Sequence, residues 1–127
     1  MKKAKKILIV EDDEVLRNFY LELLTAEGFQ VVEAVDGTEG EKLIWQGGFD
    51  LIILDIVLPR KDGMEILRNL RKTKPARPNG PIVILTNLGQ ESIVKEAFLL
   101  GATGYIIKSA FNPDQILGEI RNFLGKK

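Results

Sequence analysis

The architecture of the chain follows from one stretch, residues 49–59, which reads FDLIILDIVLP. Four consecutive apolar residues, 51–54, lie between two acids and predict a strand buried on both faces, as is typical of parallel sheets. Asp55 follows this strand directly. Because ligands of open α/β sheets bind at the carboxyl ends of the strands, we interpret Asp55 as the group that the fold presents.

Composition restricts the chemistry that this chain can perform. Its 127 residues, 45% of them apolar, predict a single domain over residues 1–127 with a core at about 6–125. The 18 basic and 18 acidic side chains balance, so we expect no direct nucleic acid partner and no membrane partner. Cysteine and histidine are absent, which excludes thiolate or imidazole catalysis and metal sites built on those ligands. The basic tail, residues 1–5, precedes an apolar run too short for a signal peptide, which favours a cytoplasmic protein.

Apolar runs and helical patterns alternate five times along the chain. The runs predict strands at residues 7–10, 29–35, 51–54, 81–86 and 104–108, and the periodic segments predict helices at 14–27, 39–46, 64–72, 90–100 and 113–125. Prolines within residues 74–81 predict an irregular connector. The inner face of the first helix is predicted to carry Val15, Leu16, Phe19, Leu23 and Leu24. The alternation predicts three layers, α/β/α, around a five-stranded parallel sheet in the order 2-1-3-4-5.

Polar residues follow the predicted strands at the same edge of this sheet. Strands one and three are neighbours in the predicted order, so Glu11, Asp12 and Asp55 should meet in one crevice. Thr86 and Lys108 end the next two strands and should reach the same crevice. Asp13 follows the acidic pair and is interpreted as the N-cap of the first helix.

The expected crevice has the groups needed for phosphoryl transfer to an aspartate. Carboxylates held close together repel, and a divalent cation relieves that repulsion. With oxygen ligands only, the candidates are Mg²⁺, Mn²⁺ and Ca²⁺, and Mg²⁺ is favoured because it takes one or two carboxylates and keeps several waters. Lys108 can neutralise a phosphoryl oxygen and Thr86 can donate a hydrogen bond to it, which leaves Asp55 as the nucleophile. No residue is placed as a general base for hydrolysis, so we expect the acyl phosphate to persist.

The pattern resembles the receiver domains of two-component response regulators, similar to the stand-alone chemotaxis regulator. The resemblance covers the whole chain and rests on five segments in order: ILIVEDD (7–13), DIVLPRKDG (55–63), PIVILT (81–86), GA (101–102) and YIIK (105–108). It implies a flavodoxin-like (βα)5 fold. It also implies that a sensor histidine kinase or phosphotransfer protein phosphorylates Asp55, without the chain being an enzyme in any further sense.

The resemblance assigns further roles residue by residue. Asp12 would bind Mg²⁺ directly and Glu11 through water, with Asp55 and the backbone carbonyl of Val57 completing the ligands. The backbone of Asn87 would contact the phosphoryl group. Thr86 and Tyr105 would act as switch residues for a readout face made of the helix at 90–100, the fifth strand and the last helix. That face would bind a downstream protein or form a homodimer on phosphorylation.

Departures from the family pattern lie beside the expected site. Asn87 replaces a small residue, and its amide could contact the phosphoryl group or narrow access to it. Ser109 replaces a proline, which leaves the Lys108–Ser109 peptide bond either cis at a cost of about 2.5–4 kcal/mol or trans with a different loop. Val57 and Leu88 are apolar at positions that tune dephosphorylation, so we predict slow loss of the phosphoryl group.

Three other functions are weaker interpretations of the sequence. A nucleotide binder of the same fold would need a hydroxyl- and glycine-rich loop after strand one, where this chain is acidic. A metal-dependent phosphatase would need an acid two residues after Asp55, where Val57 stands. A pseudo-receiver that only binds proteins would not need the full set of acids, threonine and lysine. Because the chain ends directly after its last helix, we expect the signal to leave through a noncovalent partner or a dimer.

Overall fold

The computed structural model describes residues 4–125 and alternates strands with helices throughout that range. Most of the predicted basic tail, residues 1–3, and the final residues 126–127 lie outside it. The strands are β1 (Lys6–Val10), β2 (Gln30–Ala34), β3 (Leu51–Leu54), β4 (Ile82–Thr86) and β5 (Gly104–Ile107). The helices are α1 (Glu14–Ala26), α2 (Gly37–Gln46), α3 (Gly63–Lys72), α4 (Glu91–Leu99) and α5 (Pro113–Gly125), with a short 3-10 turn at Lys108–Ala110.

The sheet confirms the predicted topology. All neighbouring strands are parallel, in the order β2-β1-β3-β4-β5. The register pairs Val10 with Leu54, and Thr86 with Ile107. Residues that directly follow β1 and β3 therefore emerge side by side at the carboxyl edge of the sheet.

Each face of the sheet supports its own apolar layer, because successive strand residues point to opposite faces. One layer contains Leu8, Ile52 and Ile84 and packs against α2, α3 and α4. The other contains Ile9, Ile53 and Ile106 and packs against α1 and α5. Both faces of β3 are covered, as its continuous apolar run predicts.

Helices α1 and α2 differ most from the sequence prediction, and the bounds of α3 and α4 differ from it by one residue at one end or both. In α1, Val15 and Phe19 are exposed, Val15 to 77%, whereas Tyr20 is buried. The prediction is confirmed for Leu16, Leu23 and Leu24 and wrong for Val15 and Phe19, because the stripe that faces the sheet runs through Leu16, Tyr20 and Leu24, four residues apart. Helix α2 begins two residues earlier than predicted, since the side chain of Asp36 caps it by accepting from the Glu39 N–H (2.8 Å).

The proline-containing connector lacks helix and strand, as predicted, but it is firmly attached. Its backbone forms hydrogen bonds with the end of α2 and the segment after it, from Ala76 N–H to Trp45 O (2.9 Å), from Gly48 N–H to Pro78 O (3.2 Å) and from Gly80 N–H to Phe49 O (2.7 Å). The connector therefore supports the amino-terminal edge of the sheet, opposite the crevice.

Candidate functional site

Three acids converge at the carboxyl edge of the sheet. Glu11 and Asp12 directly follow β1, Asp55 directly follows β3, and one carboxylate oxygen from each lies within 4.8 Å of the others. Glu11 and Asp55 are buried, whereas Asp12 is exposed. They line an open cleft of about 360 Å³ whose other lining residues are Asp13, Leu16, Val57, Thr86, Asn87, Leu88 and Lys108. The structure thus confirms the predicted convergence of three acids with a threonine and a lysine, namely Glu11, Asp12, Asp55, Thr86 and Lys108.

Lys108 provides the positive charge among the acids. Its Nζ donates to Glu11 Oε1 at 2.6 Å and to Asp55 Oδ2 at 2.7 Å, and only 11% of its side chain is exposed. Lys108 directly follows β5, so the parallel register carries its side chain to the same edge as the acids. One ammonium group is therefore shared by two buried carboxylates.

This sharing leaves Glu11 incompletely neutralised. Burial raises the pKa of Glu11, and the nearby charge of Asp55 adds to that effect; the hydrogen bonds from Lys108 and the Asp13 N–H oppose it without cancelling it. Burial alone would lower the pKa of Lys108, but its hydrogen bonds to Asp55 and Glu11, together with their charges, raise it. The cluster has more negative than positive charge, which is the condition that a bound cation relieves.

Arg17 holds the loop that carries the acidic pair, a contact that the sequence analysis missed. Its Nη1 donates to the carbonyl oxygens of Glu11 (3.0 Å) and Asp12 (3.3 Å), while its Nε lies 3.2 Å from Glu33 Oε1. Asp13 caps α1 as predicted, by accepting from the Leu16 N–H at 3.1 Å. No sequence signal identifies these contacts, because the four-residue spacing from Asp13 predicts a side-chain pair with Asp13, whereas Arg17 pairs with Glu33.

The loop between β3 and α3 contacts the other side of Asp55. The Val57 N–H donates to Asp55 Oδ1 at 3.2 Å, so each carboxylate oxygen of Asp55 accepts a hydrogen bond, one from Val57 and one from Lys108. The Val57 side chain is 59% exposed at the mouth of the cleft. The loop closes with a hydrogen bond from Gly63 N–H to Ile56 O (2.8 Å).

The predicted switch residues meet in the segment that follows β4. Thr86 is buried, and its Oγ1 accepts a long hydrogen bond of 3.5 Å from the Leu88 N–H. Tyr105 is half-buried, with its hydroxyl donating to the Leu88 carbonyl and its ring 6.4 Å from that of Phe98. A single segment therefore links the crevice to α4 and β5.

The two departures from the family pattern contact each other. Asn87 Oδ1 accepts a hydrogen bond from the Ser109 N–H at 3.0 Å, and the Lys108–Ser109 peptide bond is trans. The serine thus supplies a backbone donor that proline would lack, and the Asn87 side chain uses it. Asn87 and Ser109 tie the segments after β4 and β5 together beside Lys108.

The residues at this edge fit a hard divalent cation. Carboxylate oxygens are the ligands that Mg²⁺ prefers, and Glu11, Asp12 and Asp55 offer three of them within 4.8 Å, with Asp12 open to solvent. A partly hydrated ion suits such an open cleft, because Mg²⁺ retains several of its waters.

Comparison with known proteins agrees with this geometry. A model of the response regulator receiver domain matches residues 7–121. The chain belongs to the response regulator receiver domain family. It is 33% identical over 121 residues to the transcriptional regulatory protein SrrA of Staphylococcus aureus, an alignment that covers 95% of this chain and 48% of SrrA. The chain spans about half the length of the curated relatives that it matches.

Solved receiver domains have the same fold. A CheY-like receiver domain protein from Methanospirillum hungatei is 30% identical, with a TM-score of 0.85 over 97% of this chain and 95% of that one. The response regulator TrrA of Thermotoga maritima, solved in complex with Mg²⁺ and BeF, is 32% identical, with a TM-score of 0.78 over 94% of this chain and 99% of that one. The predicted family and fold are thus confirmed.

This receiver domain has its acidic cluster where a phosphorylation site is expected, at the carboxyl edge of the sheet. A larger cleft of about 450 Å³ lies at the opposite edge, where Lys5, Lys6, Asp50 and Arg77 are among its lining residues. That cleft contains none of the predicted site residues. None of the helices within residues 4–125 is long and apolar enough to span a membrane.

Proposed function

We propose that this receiver domain accepts a phosphoryl group on Asp55 from a phosphohistidine of a sensor histidine kinase or phosphotransfer protein, in a Mg²⁺-dependent reaction. One observation carries the proposal: the buried Asp55 carboxylate lies between Lys108 Nζ, at 2.7 Å, and the oxygens of two further acids. Such an arrangement lowers the stability of the fold, because several buried or crowded carboxylates share one ammonium group. A functional role explains it better than a structural one.

In the proposed reaction, a bond forms between an Asp55 oxygen and phosphorus while the bond from phosphorus to the donor imidazole nitrogen breaks. Lys108 would turn from the two carboxylates towards a phosphoryl oxygen and neutralise it, and the Thr86 hydroxyl and the Asn87 backbone would donate hydrogen bonds to the group. Glu11, Asp12, Asp55 and the Val57 carbonyl would hold Mg²⁺, whose chemical contribution is to neutralise charge on the transferring group.

The response to phosphorylation would pass through Thr86 and Tyr105. Both residues bond to Leu88, Thr86 through the Leu88 N–H and Tyr105 through the Leu88 carbonyl, which supports a coupled movement. A phosphoryl group that binds one arrangement of this segment more tightly shifts the population towards it. The altered face, formed by α4, β5 and α5, would then bind a downstream protein or a second copy of the chain.

The phosphorylated state would last, because the mouth of the cleft offers little help to an attacking water. Val57 is exposed there and Leu88 lines the cleft, and neither side chain can hydrogen-bond to water. The chain would therefore signal by the lifetime of its own acyl phosphate, with self-catalysed phosphorylation and slow dephosphorylation as its only reactions.

Titration with beryllofluoride in the presence of Mg²⁺, followed by NMR, tests this function. We expect saturable shifts of the Thr86, Asn87 and Lys108 amides, and none in Asp55→Asn, whose neutral amide cannot bond to beryllium as the carboxylate does. The absence of spectral change in the parent, or identical changes in Asp55→Asn, would favour a pseudo-receiver that only binds proteins.

A further inference from the structure

Glu41 is a buried carboxylate outside the crevice that binds three elements together. It lies in α2, and only 9% of its side chain is exposed. It accepts hydrogen bonds from Lys61 Nζ, in the loop between β3 and α3, and from Asn69 Nδ2, in α3, at 2.8 Å. Helix α2, the loop and helix α3 are thus joined at one side chain.

The first turns of α2 also contact the loop directly. The Gly37 N–H donates to Pro59 O at 3.2 Å, and Asp36 Oδ2 lies 3.2 Å from Arg60 Nε. A Cβ atom at Gly37 would lie 1.5 Å from Lys61 O, so only glycine permits this approach. Three successive loop residues, 59–61, are therefore each held by α2.

The same loop forms one wall of the crevice. Two residues before Pro59, the Val57 N–H donates to Asp55 Oδ1 at 3.2 Å, and Val57 lines the cleft. The loop is short, and it is fixed at residues 59–61 on one side and at Asp55 on the other. A shift of Lys61 should therefore displace the Val57 backbone relative to the Asp55 carboxylate.

We infer that Glu41 is a positioning residue for the phosphoacceptor site: by holding Lys61, and together with the contacts of Pro59 and Arg60 to α2, it fixes the loop whose Val57 backbone contacts Asp55. A buried ion pair adds little to stability compared with an apolar pair of similar volume, whereas it restricts geometry more strictly. A positional role accounts for a charged pair at this place. The inference rests on the proposed function, since the residue that is positioned is the proposed phosphoacceptor.

Amide hydrogen exchange measured by NMR, without metal, tests the positioning directly. We compare the parent with Glu41→Leu, Lys61→Met and the double variant, and with Glu27→Gln, which removes an exposed ion pair to Arg121 at the far end of α1. The Val57 amide should exchange at least about fivefold faster in both single variants, relative to Ile53 in β3, because the displaced Val57 N–H forms a weaker hydrogen bond with the Asp55 carboxylate. The Val57 amide should exchange no faster in the double variant than in either single variant, and in Glu27→Gln it should exchange at the rate of the parent.

Mg²⁺ affinity measured by calorimetry on the same proteins gives the second readout. The dissociation constant should rise about three- to tenfold in Glu41→Leu and Lys61→Met, since a displaced loop spoils the ligand geometry. Unchanged Val57 exchange together with a Mg²⁺ dissociation constant within twofold of that of the parent would overturn the positioning role. So would a double variant in which the fold-changes of the two single variants multiply. Lys61→Met alters a side chain that is 25% exposed and keeps the test decisive if Glu41→Leu does not fold. A parent that binds no Mg²⁺ but shows the exchange pattern would refute the proposed function and leave the loop contact standing.

Discussion

Glu11 and Glu41 are both buried, and both accept a hydrogen bond from a lysine, but their pKa values move in opposite directions. Burial raises the pKa of Glu11, whereas at Glu41 the hydrogen bonds from Lys61 and Asn69, with the charge of Lys61, outweigh the effect of burial and lower the pKa. The donors also differ: Lys108 is divided between Glu11 and Asp55, whereas Lys61 and Asn69 both donate to Glu41.

This difference suits the crevice cluster to metal binding and the Glu41 cluster to holding a loop. The crevice cluster has three carboxylates and one ammonium group and opens to solvent at Asp12, so it can take up a cation. The Glu41 cluster is a closed pair with an added amide, so it can hold a loop but gains nothing from a metal. Four comparisons of matched variants test the properties of the crevice, and two of them compare it with the Glu41 cluster.

Replacement of each lysine by methionine should have the largest effect. Lys108→Met leaves two buried carboxylates without a counterion, and we expect metal-free unfolding free energy at pH 7 to fall by about 3 kcal/mol. Because the lysine no longer competes for the acids, Mg²⁺ should stabilise this variant more than it stabilises the parent. Urea unfolding with and without Mg²⁺ measures both quantities.

Lys61→Met is the matched comparison for this experiment. It should also destabilise the protein, but Mg²⁺ should stabilise it no more than it stabilises the parent. Equal stabilisation of the two variants by Mg²⁺ would remove the distinction between the clusters.

Loss of the Arg17 side chain should have the next largest effect. Arg17→Gln removes charged hydrogen bonds to the Glu11 and Asp12 carbonyls and should lower the unfolding free energy by about 1.5 kcal/mol. It should also weaken Mg²⁺ binding, because the acidic loop is less constrained. In the control Arg68→Gln, which breaks an exposed pair with Glu96, the loss should stay below about 1 kcal/mol. Equal losses in both variants, measured by urea unfolding and calorimetry, would argue against a role for Arg17 in the loop.

The pH dependence of metal-free stability should differ in sign between the two glutamates. The folded-state pKa of Glu11 is raised, so its stabilising contribution is present below its ordinary pKa and is lost as the pH rises through the raised value. The folded-state pKa of Glu41 is lowered, so its contribution is present above its ordinary pKa and is lost as the pH falls through the lowered value.

Glutamine at each position isolates these contributions. As the pH rises from 4 to 7, the unfolding free energy of Glu11→Gln should increase relative to the parent, and that of Glu41→Gln should decrease. Denaturant unfolding across this range, with a chelator present, makes the measurement. If the unfolding free energies of both variants, relative to the parent, changed in the same direction with pH, the two carboxylates would be in equivalent environments.

The smallest expected effect concerns water at the open mouth of the crevice. Val57→Asn places a hydrogen-bonding amide there and should shorten the lifetime of the acyl phosphate about three- to tenfold, an effect near 1 kcal/mol on the barrier. The same change at the exposed Val15, on α1, is the control and should leave the lifetime unchanged. Decay of radiolabelled phosphoprotein gives the rates. A lifetime of seconds in the parent, unaffected by Val57→Asn, would contradict slow self-dephosphorylation.

The fold and the meeting of the site residues could be predicted because both depend on local patterns. Apolar runs mark the strands, and once the strand order is known, the residue after each strand has a fixed place at the sheet edge. Asp55 lies 44 residues after Glu11 and 53 residues before Lys108, yet the parallel register of the strands brings all three together.

The Glu41 cluster could not be predicted in the same way. Lys61 and Asn69 lie 20 and 28 residues from Glu41, and no periodicity or motif links them, because their contact depends on how α2 packs on the loop and on α3. The contact between Asn87 and Ser109 was missed for a similar reason: each was noticed as a departure, but the backbone donor of Ser109 matters only once two loops are adjacent.

Intact mass spectrometry after incubation with Mg²⁺ and acetyl phosphate shows whether Asp55 accepts a phosphoryl group. We expect the parent to gain one phosphoryl group. Chelation of Mg²⁺ and Asp55→Asn should each abolish this gain, whereas the matched variant Asp50→Asn, whose acid precedes the same strand at the opposite edge, should retain it. No mass gain by the parent, or the same gain by Asp55→Asn, would contradict the assignment of Asp55 as the phosphoacceptor.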